Sequence, residues 1–335
     1  MRARHNACMV RRLLPAALLV GAAFAQAPAT PDAGHVRAVL FSDFNGAYGS
    51  TTYPPAVART VTRIVNEWKP DLVLSAGDLI AGQKAALSDA QVRAMWAAFD
   101  QQVHAPLRAA GLPFAFTLGN HDASLTRDRA EARTYWAAHA PPLNYTDRAH
   151  FPFRYAFTVP ARTGAGTLFV AVLDAPRNTV SAQDRAWLAA QLATPAARAA
   201  CIRLVIGHLP LAGISAEKNR SGEVLRPDDA RVLRRVLERG GVLAYLSGHH
   251  AAYYPGRLGT LNVLSSGGIG GRAYVGAPGT ARSVVTVMDL DLGRATVTLT
   301  AYDADTGRVV PTSALPARID GLGGPVTRVD GPLRR

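Results

Sequence analysis

The segment Phe114-Ala115-Phe116-Thr117-Leu118-Gly119-Asn120-His121-Asp122 runs from an apolar stretch of strand length straight into a glycine, an amide, an imidazole and a carboxylate. A strand buried on both faces reads as such a short apolar run, and the turn that closes it here carries groups able to ligate a metal or move a proton. The same pattern recurs on either side. Val36 to Ser42 ends at Asp43, Leu72 to Ala76 at Gly77-Asp78, Ile202 to Gly207 at His208, and Val242 to Leu246 at Ser247-Gly248-His249-His250. Asp43, Asp78, Asn120, His208 and His249 therefore stand at the carboxyl ends of strands, the edge of an α/β sheet from which ligand-binding loops leave. Gly77, Gly119, Gly207 and Gly248 each immediately precede one of the last four, where a residue without Cβ lets the backbone turn sharply and approach an ion. One Gly-Asp or Gly-His is an ordinary strand exit. Five endings in the order Asp, Asp, Asn, His, His are not explained by turn chemistry.

Helical spacing fills the intervals: Ala56 to Trp68, stopped by Pro70; Ser88 to Ala110, with a break expected near Pro106; Thr126 to His139; a helix capped by Ser181 and running to Leu192; and Pro227 to Arg239, with Asp228 and Asp229 in its first turn. Further strands are expected at Phe153 to Val159, Leu168 to Asp174, Leu261 to Leu264, and in a hairpin of Ser283 to Leu290 with Arg294 to Tyr302. Strands alternate with helices first and cluster later, which predicts one α/β domain of mixed sheets over residues 36–310. Residues 311–335 are Pro/Gly-rich and read as a poorly ordered tail. Residues 1–25 read as a secretory signal peptide: Arg2, Arg4, Arg11 and Arg12 precede the apolar stretch Leu13 to Phe24, and Ala23-Phe24-Ala25 supplies a cleavage site. Residues 26–35 follow as a linker, and the mature chain is expected in the periplasm or outside the cell. No second apolar stretch is long enough to span a bilayer.

With 335 residues, 48% of them hydrophobic, the chain has the apolar surface for a large core, so disorder is excluded as its main state. Two cysteines exclude a disulfide scaffold. Cys8 leaves with the leader, and Cys201, which opens an apolar run, reads as a small buried residue rather than a nucleophile. The net charge of +13 is almost wholly arginine, since Lys69, Lys84 and Lys218 are the only lysines. Such a surface suits phosphate esters, nucleic acid or membranes, and arginine-favouring codon usage accounts for it equally well. No Lys/Arg-rich run follows the leader, so no nucleic-acid-binding module is evident.

The strand-end residues also make chemical sense together. A carboxylate shared between two divalent ions, completed by imidazole and amide oxygen, suits Fe, Mn or Zn. The blocks Asp43-Phe44-Asn45, Gly77-Asp78, Gly119-Asn120-His121-Asp122, Gly207-His208 and Gly248-His249-His250-Ala251 resemble, in order and spacing, the motifs of the calcineurin-like metallophosphoesterase superfamily over roughly residues 36 to 265. The resemblance implies a four-layer α/β/β/α sandwich, two mixed β-sheets flanked by helices, with a dinuclear metal site at one edge. It implies hydrolysis of a phosphomonoester or phosphodiester, small-molecule or lipid, by attack of metal-bound hydroxide. By position Asp78 bridges the two ions, Asn120, His208 and His249 complete the second metal position, and Asp43 belongs to the first. His121 is then the general acid, and Asp122 the carboxylate that orients it.

Two departures bear on the first metal position. Asn45 and Ala251 stand where the family has histidines. That position keeps Asp43 and Asp78, with the Asn45 amide oxygen as a further ligand, and His250 could serve only through a reshaped loop. Oxygen ligands alone favour harder, more weakly held ions. Three states follow: two unlike ions, one tight ion with a second recruited by substrate, or a catalytically degenerate protein that binds metal or phosphate on the same scaffold. A metal-free anion- or envelope-binding protein is a further alternative. The hydroxyl-rich loop Asn45 to Tyr53 and the run Gly267 to Arg272 are candidate borders of the site, with Arg272 facing an anionic substrate. Tyr253 and Tyr254 are candidates to stack on a leaving group, and Trp68, Trp96, Trp136 and Trp187 read as core.

Overall fold

The structure, a computed structural model, describes residues 34–162 and 166–335. The expected leader, and all of the linker but its last two residues, lie outside that range. In chain order the strands are β1 (His35–Leu40), β2 (Leu72–Ser75), β3 (Phe114–Phe116), β4 (Asn144–His150), β5 (Arg154–Pro160), β6 (Thr167–Val172), β7 (Ile202–Ile206), β8 (Ala244–Ser247), β9 (Tyr254–Leu258), β10 (Leu261–Ser265), β11 (Val284–Asp291), β12 (Thr296–Asp303), β13 (Arg318–Gly321) and β14 (Gly324–Arg328). They form two mixed sheets, one ordered β12-β11-β1-β2-β3 and the other β13-β14-β9-β10-β8-β7-β6-β5-β4. β1, β2 and β3 pair in parallel, as do β6, β7, β8 and β10, so the carboxyl ends of both parallel cores converge on one edge.

Period-two alternation along β1 explains the layering. Val36, Ala38 and Leu40 face the second sheet, in a core shared with Tyr155, Phe157 and Leu204, while Val39 and Phe41 face a helical layer with Val57, Val61, Met95 and Trp136. The second sheet is covered in turn by Leu188 and Leu192 of helix Ala182–Leu192 and by Leu233 and Leu237 of helix Pro227–Arg239. The result is the expected α/β/β/α sandwich. Trp68, Trp96 and Trp136 are buried, and Trp187 packs half-buried against the core.

Prolines shaped the helices less abruptly than the sequence suggests. The break expected near Pro106 is a single wide turn, Asp100–His104, before helix Ala105–Ala109, with the Ala105 N–H bonding Asp100 O. Pro106 has no N–H to offer the carbonyl four residues back, and the widened turn absorbs that loss without ending the helical path. His104 sits in this turn, 3% exposed, beside Phe99, Phe114 and Trp136. Burial, helped by the Arg108 charge, holds its pKa down at about 4, with Asp100 opposing. The folded His104 therefore refuses a proton that the unfolded chain accepts below its ordinary value of 6.5. Its contribution to stability is complete above pH 6.5 and is lost as pH falls toward 4, by about 3 kcal/mol. Urea titrations of the protein and of His104→Phe across pH 4 to 7 check this, and the variant is expected to show the shallower acid slope.

Several expectations are corrected. The segment 311–335 is not a loose tail: β13 and β14 pair with each other and extend the nine-stranded sheet at β9. Ile319, Val326 and Leu333 are buried, and Leu333 bonds Val297 of β12. These strands carry one core residue each, too few for periodicity to show. Tyr253 and Tyr254 are both buried, with the Tyr254 hydroxyl donating to Pro316 O, so neither reaches a substrate. Cys201 is exposed rather than buried, because it precedes β7 instead of lying in it.

Candidate metal centre

Asp43, Asp78, Asn120, His208 and His249 meet at the shared edge, each leaving a parallel strand. Asp43, Asp78 and His249 hold left-handed backbone, with φ of 51°, 57° and 64°. Such conformations cost roughly 1–3 kcal/mol each in a residue with a side chain, and they persist where surrounding structure over-determines them. The glycines that precede the ligands are needed for space. A Cβ on Gly77 would come within 2.6 Å of Gly119 N and 2.8 Å of His208 Nδ1, and one on Gly248 within 2.7 Å of Asp43 Oδ2.

Ligand atoms of Asp78, His208 and His249, all buried, lie within 4.8 Å of one another. Their proton inventory is short. His208 Nδ1 is 2.7 Å from Ala76 O, which can only accept, so Nδ1 carries the ring proton and Nε2 presents a lone pair. That lone pair faces Asn120 Oδ1 at 2.8 Å and Asp78 Oδ1 at 3.4 Å. The Asn120 orientation is fixed by its Nδ2, which donates to Gln83 Oε1 at 2.7 Å. His249 Nε2 is 2.8 Å from Glu223 Oε2, which leaves Nδ1 as its lone-pair nitrogen. An imidazole, an amide oxygen and a carboxylate thus turn lone pairs toward one point with no donor between them. A cation satisfies that arrangement, and Asp78, Asn120, His208 and His249 fit a divalent ion with mixed N and O ligands. Burial acts to raise the Asp78 carboxyl, but His208, His121 and His249 outweigh it and hold Asp78 below the usual carboxylate range.

The first metal position is differently furnished. Asp43 Oδ1 accepts the His249 N–H at 2.6 Å and Oδ2 accepts the Ser42 hydroxyl at 2.6 Å, while burial pushes its carboxyl up to about 6. Asn45 lines the same cavity, its amide only 3.4 Å from Gly46 O. Ala251 is buried, and a Cβ on Gly268 would stand 3.1 Å from Ala251 Cβ. His250 does not substitute. Its Nδ1 accepts the N–H groups of Ile214 and Ser215 at 3.1 and 3.0 Å, and its Nε2 donates to Glu223 O at 3.0 Å. Burial holds it neutral, with its pKa down at about 3. His250 pins a loop and has no lone pair left for an ion.

His121 lines the cavity, with its backbone N–H on Asp78 Oδ1 at 3.0 Å and its ring stacked on Tyr48 at 5.1 Å. Its Nδ1 is buried without a partner. The role expected for Asp122 is corrected. Its Oδ1 accepts the N–H groups of Leu79 and Ile80, both at 2.9 Å, and its Oδ2 that of Gly119 at 2.7 Å. Asp122 therefore ties the loop after Asp78 to the loop before Asn120 and does not touch the His121 ring. Burial and the Asp78 charge raise its pKa, and the backbone donors of Ile80 and Gly119 oppose them.

Sequence reasoning missed Glu223 and Lys218. Lys218 Nζ lies 2.9 Å from the same Glu223 oxygen that His249 Nε2 reaches. The His249 contact holds Glu223 ionised, well below the ordinary carboxylate range, while burial keeps His249 neutral, with its pKa down at about 4. A carboxylate behind a ligand imidazole fixes its tautomer and aim, and loss of such a partner costs about 10–100-fold in metal affinity. Glu223→Gln is expected to show that loss in a competitive chelator titration. Nothing local marks Glu223, because its meeting with His249 depends wholly on the tertiary fold.

The sequence profile of the calcineurin-like phosphoesterase family matches residues 37–253, a span that holds every strand-end ligand. The chain belongs to this family. Among solved structures, this phosphoesterase-family chain is similar in fold to the purple acid phosphatase PPD1 of yellow lupin seeds, at a TM-score of 0.59 and 14% identity over 83% of this chain and 53% of that one. It is similar also to GAP50, the anchor in the inner membrane complex of Plasmodium, at a TM-score of 0.55 and 14% identity over 82% and 87%. No curated protein sequence is a significant match. Among the described residues no helix is long and apolar enough to cross a membrane.

Proposed function

We propose that this calcineurin-like chain is a metal-dependent phosphoesterase that hydrolyses a phosphomonoester or phosphodiester, and that it is exported by its arginine-flanked apolar leader. The observation that carries the reading is the buried cluster of Asp78, Asn120, His208 and His249, of which Asp78 and His249 line, with His121, a cavity of about 420 Å³. A divalent ion held by those four residues supplies Lewis acidity and a water acidified toward neutrality. The chain supplies the rest. Asp78 fixes the His121 backbone through its N–H. Tyr48 covers one face of the His121 ring, leaving its nitrogens to the cavity and its wall. From there His121 protonates the leaving alkoxide as the ester bond breaks.

The test is hydrolysis of p-nitrophenyl phosphate and bis(p-nitrophenyl) phosphate before and after chelation, with Mn²⁺ added back. Chelator-sensitive hydrolysis restored by metal is the expected result. Hydrolysis that survives chelation contradicts the reading, and bound metal without hydrolysis of either ester favours a metal- or phosphate-binding protein on the same scaffold.

A further inference from the structure

The place where a first ion would sit is short of donors and flanked by cations of the chain itself. Residue 251 offers only a methyl group, His250 is consumed by Ile214, Ser215 and Glu223, and the Asp43 carboxylate is held by His249 and Ser42. Beside Ala251 runs Arg272, whose N–H donates to Ala251 O at 2.7 Å and whose Nη1 lies 3.4 Å from His249 O. Arg272 and Lys218 line the same cavity as Asp43, Asp78 and His121.

We propose that an oxyanion subsite built from Arg272 and Lys218 takes the place of a first metal ion, so that one divalent ion and a guanidinium together hold the phosphoryl group. This rests on the phosphoesterase reading and goes beyond it in naming what replaces the missing imidazoles. Guanidinium is suited to the task because it stays charged at any working pH and presents paired donors to a tetrahedral oxyanion. Its side chain is 30% exposed and is engaged only loosely, by Glu217 at 3.2 Å, a carboxylate that is itself 66% exposed. Such a rim pair contributes little and yields readily to a better anion. Lys218 adds a second positive charge from helix Ala216–Arg220, held by Glu223, so the subsite is wired through Glu223 to the metal ligand His249. The arrangement gives this chain an anion grip that does not require a second ion.

The experiment measures inorganic phosphate binding to the metal-loaded full chain by calorimetry at low salt, with metal content read on the same samples. Arg272→Gln is expected to weaken phosphate binding about 10- to 100-fold, as loss of a charge-assisted hydrogen-bond pair does, while metal content holds at one ion per chain. Arg272→Lys should recover part of the loss. Glu217→Gln, at a position 66% exposed, should tighten phosphate about 2- to 5-fold by removing the competing carboxylate. A purely structural role for Arg272 would not produce these opposite shifts. Unchanged phosphate affinity in Arg272→Gln, or two ions per chain in the wild type, overturns the subsite. A wild-type chain that takes no ion overturns the phosphoesterase reading instead, and phosphate binding by the metal-free protein still reports on Arg272.

Discussion

Asp78→Asn and His208→Ala are each expected to abolish turnover and to release the metal ion that the proposed site holds. A metal Lewis acid generally contributes several kcal/mol to transition-state stabilisation, so on the proposed function the loss in kcat should exceed about 10³-fold. The two variants reach that end by different routes. His208→Ala removes an imidazole anchored on Ala76 O and leaves a hole in a buried wall. Asp78→Asn keeps the shape, and its side-chain oxygen can still accept the His121 N–H. It also removes a negative charge that raises the pKa of both Asp43 and Asp122. Measured without metal, Asp78→Asn, which keeps the side-chain shape, should therefore unfold at a higher temperature than His208→Ala while remaining inactive with metal. Thermal unfolding of both proteins in chelator, beside activity with excess Mn²⁺, checks the pair of statements. Retained activity in either variant is the contrary result.

His121→Ala separates acid catalysis from metal binding. The ring stacks on Tyr48 and its Nδ1 has no hydrogen-bond partner, so metal content should change far less than turnover. Turnover on an alkyl phosphoester, whose leaving group needs a proton, should fall by about 10²–10⁴-fold. Turnover on p-nitrophenyl phosphate, whose leaving group departs unaided, should fall much less. Equal losses on the two substrates, or full turnover on the alkyl ester, would remove His121 from the acid role.

Much of the fold and the ligand set was legible in the sequence because buried parallel strands announce themselves. Their apolar runs are nearly continuous, and the residue that ends each one is forced to the same edge. The sandwich itself came from the resemblance, and alternation along β1 gives it a physical basis. What was not legible depended on contacts between distant segments. The edge strand β4, Asn144-Tyr145-Thr146-Asp147-Arg148-Ala149-His150, is mostly solvated and carries no apolar run. β9 contains Pro255 and Gly256, which read as breakers, yet it pairs along its whole length with β10. Asp122 follows His121 directly, and adjacency suggested a working pair. The helical turn Asn120–Ala123 points its carboxylate back at Leu79, Ile80 and Gly119 instead. His250 resembled a displaced ligand only until its backbone partners were visible.

These residues converge on a single statement about metal. Ligand atoms of Asp78, His208 and His249 cluster with Asn120 Oδ1 beside His208 Nε2, whereas Asn45 and Ala251 stand where the family has histidines and Arg272 runs beside Ala251. Elemental analysis of the chain after purification and after reconstitution with Mn²⁺ tests that statement directly and assumes no substrate. The account predicts one ion per chain, lost on His208→Ala and kept on Arg272→Gln. Two ions per chain in the wild type, or none after reconstitution, would contradict it.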